Sequence, residues 1–318
     1  MIRVAAFLTL ALASPAGAFE LAPFKLAWPA DCTLGDTCHI QQYADHDPGP
    51  AATDFTCGPL SYDGHDGTDI ALISRAAMAD GTAVLAAASG TVKGARDGVA
   101  DFVPWVEGRE CGNGVVIEHA DGWETQYCHM RQGSVLVKPG DQIETGTPLG
   151  FIGQSGMAEF PHVHLSVRHN GTKIDPFEPD PAATCNPAPG PGLWATAVPY
   201  QPGGFLAAGF TSAVPTFDAI RAGLPTEPLA ATAPGLVLWA YVFGSRAGDT
   251  LQFTITGPQG EVLHTTATLA KTQAQLFRAN GKRLTTPAWP AGTYQGTITL
   301  MRSGTQIDQI TAQVQIES

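Results

Sequence analysis

Two polar motifs lie nearly a hundred residues apart and place the strongest constraint on the fold. The first is His65-x-x-x-Asp69 and the second is His162-x-His164. Apolar residues alternate with the two histidines of the second motif, and this period of two predicts a β-strand with one apolar and one polar face. Both imidazoles then point the same way, with their Cα atoms about 6–7 Å apart.

The segment from His65 to Asp69 is predicted to be a bent loop rather than a helix. Gly64 precedes it and Gly67 lies within it, and both disfavour a helix, whereas a turn at Gly67 would let the two side chains converge. Nitrogen and oxygen ligands from two segments, with a fourth position left open, are typical of a catalytic zinc site. A structural zinc site is closed by four protein ligands, usually including cysteine.

A third element between the two motifs carries a further histidine. Residues 114–120 and 123–130 are predicted to pair as a β-hairpin, with Asp121-Gly122 as its two-residue turn. His129 falls at the end of the second strand, where the chain leaves the sheet and where functional groups are often placed.

Together these motifs resemble the lysostaphin/LytM-type zinc metallopeptidases, which cut peptide bonds in bacterial cell-wall peptidoglycan. The resemblance covers about residues 55–180. It rests on three motifs in the family's order, namely His65-x-x-x-Asp69, Tyr127-x-His129 and His162-x-His164. The resemblance implies a secreted zinc metalloendopeptidase, a peptide-bond hydrolase whose partners are the peptide stems of peptidoglycan.

The resemblance also implies the site residues. His65, Asp69 and His164 would bind one Zn²⁺, while His129 and His162 would stay unligated as catalytic residues beside the water on the metal. All five positions are filled, which argues against the metal-free members of the family. The sequence has no His-Glu-x-x-His helix to supply a glutamate base, so histidine must orient or deprotonate the water and stabilise the oxyanion.

Other polar residues near these motifs are interpreted as structural. Asp63 and Asp66 are predicted to be turn residues rather than ligands. Ser155 lacks a base in a nucleophile motif, so no serine hydrolase is predicted. The remaining histidines are expected to be structural or exposed: His39, His46, His119, His169 and His264.

The chain begins with the pattern of a secretory signal peptide. A basic start at Arg3, a short apolar core and the ending Ala16-Gly17-Ala18 predict cleavage after Ala18. No later apolar run approaches the ~20 residues of a membrane helix, so no membrane span is predicted in the mature chain. The protein is expected to be exported, to the periplasm or out of the cell.

Six cysteines in an exported chain predict disulfide bonds rather than thiolate metal sites. Spacing alone leaves many connectivities open. The preferred pairing is Cys32 with Cys38 across a short loop, Cys111 with Cys128 across the arms of the hairpin, and Cys57 with Cys185 as the remaining pair.

Composition indicates a globular chain with a sizeable core. Hydrophobic residues make up 44% and charged residues 14% of the 318 residues, a length that suggests two domains. The formal net charge of −12 at pH 7 would repel phosphate backbones and anionic lipids, so neither nucleic acid nor a membrane surface is an expected partner. Peptidoglycan is also partly anionic, so its recognition would depend on local groove chemistry.

Short β-like segments separated by turns predict an all-β fold in both halves of the chain. The peptidase domain is expected to have an antiparallel sheet or barrel-like core, followed by an immunoglobulin-like β-sandwich. The second domain lacks a metal or nucleophile cluster, so wall contact, spacing or binding of a protein partner is its expected role. The predicted division is a signal peptide at 1–18, an N-terminal arm at 19–54, the zinc metallopeptidase domain at 55–185, a Pro/Gly-rich linker at 186–205 and the C-terminal β-sandwich domain at 206–318.

Two alternatives stay open for the aromatic loop at 97–113. Phe102 or Trp105 could line a wall of the substrate groove, or the loop could plug the edge of the sheet.

Three function classes also stay open. The favoured one is a secreted zinc endopeptidase acting on peptidoglycan cross-links. The others are a catalytically silent wall-binding regulator of another hydrolase, and a secreted peptidase for Gly-rich proteins.

Overall fold

The computed structural model describes residues 23–180 and 190–317. Strands dominate its secondary structure and nearly all of them pair antiparallel, which confirms the predicted all-β class. The predicted signal peptide and the Cys57–Cys185 pairing lie outside the described residues, as do the first residues of the predicted linker. In the described part of the chain, no helix has both the length and the apolar character needed to cross a membrane.

An eight-stranded sheet forms the framework of the first half. The strands are β1 Cys38–Gln42, β2 Thr68–Leu72, β4 Gly90–Arg96, β5 Asn113–Glu118, β6 Trp123–Met130, β7 Gln142–Ile143, β9 His162–His169 and β10 Thr172–Lys173. Their spatial order is β1-β2-β9-β6-β5-β4-β7, and β10 pairs with β9. A separate pair, β3 Ala83–Leu85 with β8 Pro148–Phe151, and the short helix α1 Arg75–Asp80 complete this half.

Apolar and polar residues alternate along β9, so this strand has one face toward the core and one face toward the predicted site. Val163, Leu165 and Val167 have no exposed surface and belong to the main core under the sheet. His162 and His164 alternate with these residues in sequence and therefore lie on the opposite face. The predicted strand and its two-sided pattern are confirmed.

The predicted hairpin is present as β5 and β6. Four residues, at positions 119–122, connect the strands instead of the predicted two, and Ala120–Gly122 among them forms a 3-10 turn. Asp121 and Gly122 both have a left-handed backbone, with φ of 57° and 79°, which Asp and Gly tolerate better than most residues.

The second half is a β-sandwich of two sheets. Its elements are β11 Gly204–Thr211, α2 Phe217–Gly223, β12 Leu229–Ala230, β13 Gly235–Ser245, β14 Thr250–Gly257, β15 Gly260–Thr268, β16 Gln273–Arg283, β17 Gly292–Arg302 and β18 Thr305–Glu317. The three-stranded sheet β11-β13-β16 packs against the five-stranded sheet β12-β18-β17-β14-β15 through a shared apolar core. The immunoglobulin-like topology stays a prediction.

Residues 38–42, assigned to an N-terminal arm from the sequence, form the edge strand β1 of the eight-stranded sheet. Every residue of β1 is buried, so this strand lacks the alternation that reveals a half-exposed strand. The Cys32–Cys38 disulfide anchors its start, and the Cys111–Cys128 disulfide links β6 to the loop before β5. Both predicted pairings are therefore confirmed.

The loop before β5 differs from both alternatives raised for it. Phe102 and Trp105 are 56% and 50% exposed, so neither forms a buried plug. Neither residue lines the cleft described below, whereas Glu110 and Cys111 of the same loop do. The aromatic tip therefore projects into solvent, while the end of the loop contributes to the cleft wall.

Candidate metal centre

Three neighbouring strands bring the predicted site residues to one face of the sheet. Asp69 on β2 is paired with His164 on β9, and His164 is paired with Cys128 on β6. His162 is paired with Ala71, two residues further along β2. Residues paired directly across strands point to the same face, so the fold brings together side chains from distant parts of the sequence.

His65 enters the site from the turn before β2. Its Nδ1–H donates to the backbone carbonyl of Tyr43 at 2.7 Å, which leaves the lone pair of Nε2 directed toward the site. This Nε2 lies 3.1 Å from Oδ1 of Asp69 and 3.1 Å from Nδ1 of His164. The third distance, from His164 Nδ1 to Asp69 Oδ1, is 2.8 Å.

These three atoms fit a divalent metal in number, chemistry and spacing. Ligand atoms about 2.0–2.1 Å from a tetrahedral zinc lie roughly 3.3 Å from one another, close to the observed separations. His65, Asp69 and His164 are 2%, 3% and 8% exposed, so protein surrounds the cluster. The second nitrogen of each imidazole is engaged by the protein, as expected for a metal-binding histidine.

Gly67 permits the close approach of the turn to β9. A Cβ at this position would lie 2.7 Å from Nε2 of His164 and would also collide with the backbone carbonyl of Leu165. The predicted bend at Gly67 therefore has a packing reason, because a larger residue would push the His164 ring out of place.

The electrostatics of the cluster favour a cation. Burial raises the pKa of Asp69, but the nearby His65 and His162 and hydrogen bonds with His164 and His65 outweigh it and hold the pKa well below its ordinary value. Burial lowers the pKa of His164, yet its hydrogen bonds with Asp66 and Asp69 reverse this and raise the pKa to about 9. A divalent cation would therefore compete with a proton for Nδ1 of His164.

His129 and His162 stand beside the cluster as a second pair, with ring centroids 4.6 Å apart. Nδ1–H of His129 donates to the carbonyl of Ser155 at 2.8 Å, and Nδ1–H of His162 donates to the carbonyl of Phe160 at 2.9 Å. Nε2 of His162 lies 3.5 Å from Oδ1 of Asp69. Each ring thus presents an Nε2 lone pair to the site.

Both rings of this pair are held neutral. Burial lowers the pKa of His129 well below its ordinary value, and the neighbouring His162 and His164 lower it further. Burial also lowers the pKa of His162, although Asp69 partly opposes this. A neutral imidazole with a free nitrogen has the lone pair that a general base requires.

His129 is held in an unusual backbone conformation at the end of β6. Its φ is 64°, in the left-handed region that non-glycine residues seldom adopt, and its backbone N–H donates to the carbonyl of Cys111 at 2.8 Å. The Cys111–Cys128 disulfide joins the residue before His129 to the residue that accepts this hydrogen bond. Such strain persists only where the surroundings fix it, and here a covalent bond does so.

An open cleft of about 750 Å³ runs over the cluster. Its walls include all five predicted site residues, so the structure brings the whole set together around one space. Sequence reasoning did not assign several of the other lining residues to the site, because most flank the motifs without belonging to them and the rest come from other strands and loops. These are Gln42, Tyr62, Asp63, Asp66, Gln126, Met157, Ser166, Arg168 and Ala274.

Comparison with known proteins gives matches to the first half of the chain. Residues 63–176 match the model of Peptidase family M23. The cell division protein DipM of Caulobacter vibrioides is 37% identical over 103 residues, which cover 32% of this chain and 15% of DipM. The DD-carboxypeptidase/endopeptidase Mpg of Neisseria meningitidis is 37% identical over 94 residues, covering 29% of this chain and 20% of Mpg.

A third relative is named as an activator of a hydrolase. The murein hydrolase activator EnvC of Escherichia coli is 33% identical over 94 residues, covering 29% of this chain and 22% of EnvC. The chain thus spans between 15% and 22% of the length of these three relatives. The motifs, the sheet that carries them and the match to the family model agree that residues 63–176 form a peptidase domain of family M23, the LytM/lysostaphin family.

Proposed function

We propose that the chain is an exported zinc metalloendopeptidase that hydrolyses the peptide cross-links of bacterial peptidoglycan. The observation that carries this proposal is the buried cluster of two imidazole nitrogens and one carboxylate oxygen, 2.8–3.1 Å apart, beside two neutral imidazoles. The similarity to Mpg, which is named as a DD-carboxypeptidase/endopeptidase, supports a peptidase, and the similarity to EnvC, which is named as a murein hydrolase activator, supports action at the cell wall.

His65, Asp69 and His164 would hold one zinc ion. When bound, zinc would supply a Lewis acid that polarises the scissile carbonyl and lowers the pKa of a water molecule toward ~7. Asp69 would remain ionised and balance part of the ion's charge, since its pKa lies well below the ordinary value. The open cleft above the cluster leaves space for a peptide to reach this point.

His129 and His162 would carry the proton transfers. Each anchors Nδ1–H on a backbone carbonyl and so keeps Nε2 unprotonated and aimed at the site. An imidazole in this state can take a proton from the attacking water and later donate it to the leaving amine. Once protonated, it can also stabilise the oxyanion.

The direct test is digestion of purified sacculi by the full-length mature protein, with metal content measured on the same sample. We expect about one zinc per chain and release of soluble peptide-containing fragments, whose masses would identify the bond that is cut. Treatment with a chelator should stop the release and added zinc should restore it. Zinc-loaded protein that releases nothing from sacculi would overturn the proposal.

A catalytically silent regulator of another wall hydrolase is the second candidate. Its support is the similarity to EnvC, which is named as a murein hydrolase activator. Such a protein would bind sacculi without releasing fragments and would increase release by an added hydrolase. A peptidase for Gly-rich proteins is distinguished by comparing cleavage of sacculi with cleavage of a Gly-rich protein substrate.

The cellular placement and the division of the chain are part of the same proposal. Two described disulfides support an oxidising compartment, periplasmic or extracellular, and hence export. We retain the proposed boundaries at 55–185 and 206–318 but assign strand β1 to the peptidase sheet. Mass measurement of the protein recovered from its native compartment would test removal of residues 1–18.

A further inference from the structure

The outer nitrogen of His164 has two hydrogen-bond partners. Nε2 lies 3.0 Å from Oδ1 of Asp66 and 2.9 Å from Oγ of Ser166. Ser166 Oγ can itself donate to Oδ1 of Asp66, at 3.4 Å. The carboxylate of Asp66 therefore accepts from the ring directly and through the serine hydroxyl.

The Asp66 carboxylate is held by an arginine on the same side of the cleft. Nη2 of Arg168 lies 3.5 Å from Oδ2 of Asp66. Arg168 is fixed in turn by Gln126, whose Oε1 accepts at 2.9 Å, and by Glu124 at 3.4 Å. A continuous series of polar contacts thus runs from His164 along the floor of the cleft to β6.

We propose that Asp66 is a positioning residue that holds His164 in the tautomer and orientation needed to bind the metal. The inference rests on the proposed function, in which Nδ1 of His164 is a zinc ligand. A metal on Nδ1 requires the ring proton to sit on Nε2, and a carboxylate is the strongest available acceptor for that proton. Asp66 thereby keeps the Nδ1 lone pair free and directed at His65 and Asp69.

Ser166 alone does not account for this arrangement. A hydroxyl is as ready to donate to Nε2 as to accept from it, so it fixes the position of the ring but not its tautomer. A carboxylate accepts only, and it also makes the imidazole a stronger ligand. The Asp66 side chain is 48% exposed, and solvent weakens its effect, which places the expected loss toward the lower end of the usual range for such partners.

The test compares zinc affinity in Asp66→Ala and Asp66→Asn with that in Asp63→Ala and Asp63→Asn. Asp63 is a matched control because it carries the same charge, belongs to the same turn and lines the same cleft. Within the described residues, its side chain makes no hydrogen bond to His164. Zinc dissociation constants are measured by competition with a chelator on the full-length protein, and the visible spectrum of the Co²⁺ form reports the geometry of the bound ligands.

We expect Asp66→Ala to weaken zinc binding about 10-fold, within the roughly 10- to 100-fold range of such partners, and to alter the Co²⁺ spectrum. Asp66→Asn should weaken binding less, and the Asp63 variants should match the wild type in both readouts. Asp66→Asn preserves the side-chain shape, so it serves as the test if Asp66→Ala fails to fold.

Two results would overturn the inference, and they are distinguishable. A wild-type protein that does not bind zinc would overturn the proposed function together with this inference. Tight zinc binding by the wild type, with the Asp66 and Asp63 variants equal to it in affinity and spectrum, would overturn the inference alone.

Discussion

In each of the four imidazoles of the centre, a hydrogen bond at one ring nitrogen determines the protonation and direction of the other nitrogen. His65, His129 and His162 donate Nδ1–H to backbone carbonyls and present Nε2 to the site. His164 is the exception, because its Nε2 is held by side chains and its Nδ1 faces the cluster. A backbone carbonyl can only accept a hydrogen bond, so the backbone fixes the tautomers of His65, His129 and His162. The tautomer of His164 depends instead on its side-chain partners.

The different roles proposed for the ligands and for the unligated imidazoles predict different effects for two variants. His164→Ala removes one of the three proposed ligands, so we expect loss of both zinc and sacculus hydrolysis. His129→Ala leaves the three ligands in place, so zinc should remain while hydrolysis falls about 10²- to 10⁴-fold. Metal analysis and fragment release on the same samples give both readouts. His264→Ala, at an exposed position on β15, is the control, and turnover retained by His129→Ala would refute the role of His129.

A third prediction concerns His39, which lies on β1 with its ring 4.6 Å from Phe243 of β13. Burial lowers its pKa from 6.5 to about 4, because a charged ring would be desolvated there. The unfolded chain takes up this proton at a higher pH than the folded chain does. The stabilising contribution of neutral His39 is therefore complete above about pH 6.5 and is lost as the pH falls toward 4, by about 3 kcal/mol at most.

The measurement for His39 is the free energy of urea unfolding of wild type and His39→Gln at about pH 7.5 and about pH 4.5. Other groups titrate over the same interval, so the informative quantity is the difference between the two proteins. We expect wild type to lose more stability than the variant on acidification. An equal loss in both proteins would show that His39 does not carry the effect.

At the residue scale, the sequence predicts the proposed metal ligands better than the residues that support them. The spacing in His65-x-x-x-Asp69 and the alternation around His162 and His164 depend on local geometry, which a sequence displays. The contact of Asp66 with His164 depends on where the turn places one carboxylate against a strand about a hundred residues away. No local sequence pattern indicates this contact, so the sequence predicts only that Asp66 is a turn residue.

The same limit holds for whole elements. The hairpin β5–β6 and strand β9 show turn residues and alternation, and the sequence predicts them closely. Strand β1 has no alternation because all of its residues are buried, and α1 and α2 are six and seven residues long. Such short helices depend on tertiary packing, since propensity alone does not stabilise them.

The disulfide at the end of β6 gives a prediction at this scale. Replacing both Cys111 and Cys128 by alanine opens a link across 17 residues, for which chain entropy gives a loss of about 3 kcal/mol. Hydrolysis should also fall, because these two residues hold the left-handed backbone of His129. Urea unfolding and sacculus digestion measure the two effects.

The Cys32–Cys38 disulfide supplies the control for that variant. It closes a separation of six residues, which gives a smaller stability loss of about 2 kcal/mol, and neither cysteine lines the cleft. Replacing this pair by alanine should leave the rate of hydrolysis unchanged. Equal rates in both double variants would show that the Cys111–Cys128 link does not position His129.

At the scale of the whole molecule, the β-sandwich contacts the first half of the chain at strand β1 and at helix α1, among other places. On β1, Nε2 of the buried Gln41 donates to the carbonyl of Ala274, and its Oε1 accepts from Gln275. At α1 and α2, Arg75 pairs with Asp218. The sequence assigns the sandwich a separate role, because contacts between domains leave no periodic signal. The structure places Ala274 of the sandwich in the cleft wall.

Because Ala274 of the sandwich lies in the cleft wall, we expect the second half of the chain to influence substrate binding. Ala274→Trp adds a large side chain to the cleft without touching the ligands, so zinc content should remain at the wild-type level. We expect KM for sacculus-derived cross-linked peptides to rise about 10-fold, equivalent to about 1.4 kcal/mol of binding. Ala270→Trp is the control, because Ala270 is exposed in the β15–β16 connection and does not line the cleft. A KM unchanged in Ala274→Trp would mean that bound substrate does not extend to the sandwich, whereas an equal rise in both variants would point to a general disturbance of the connection.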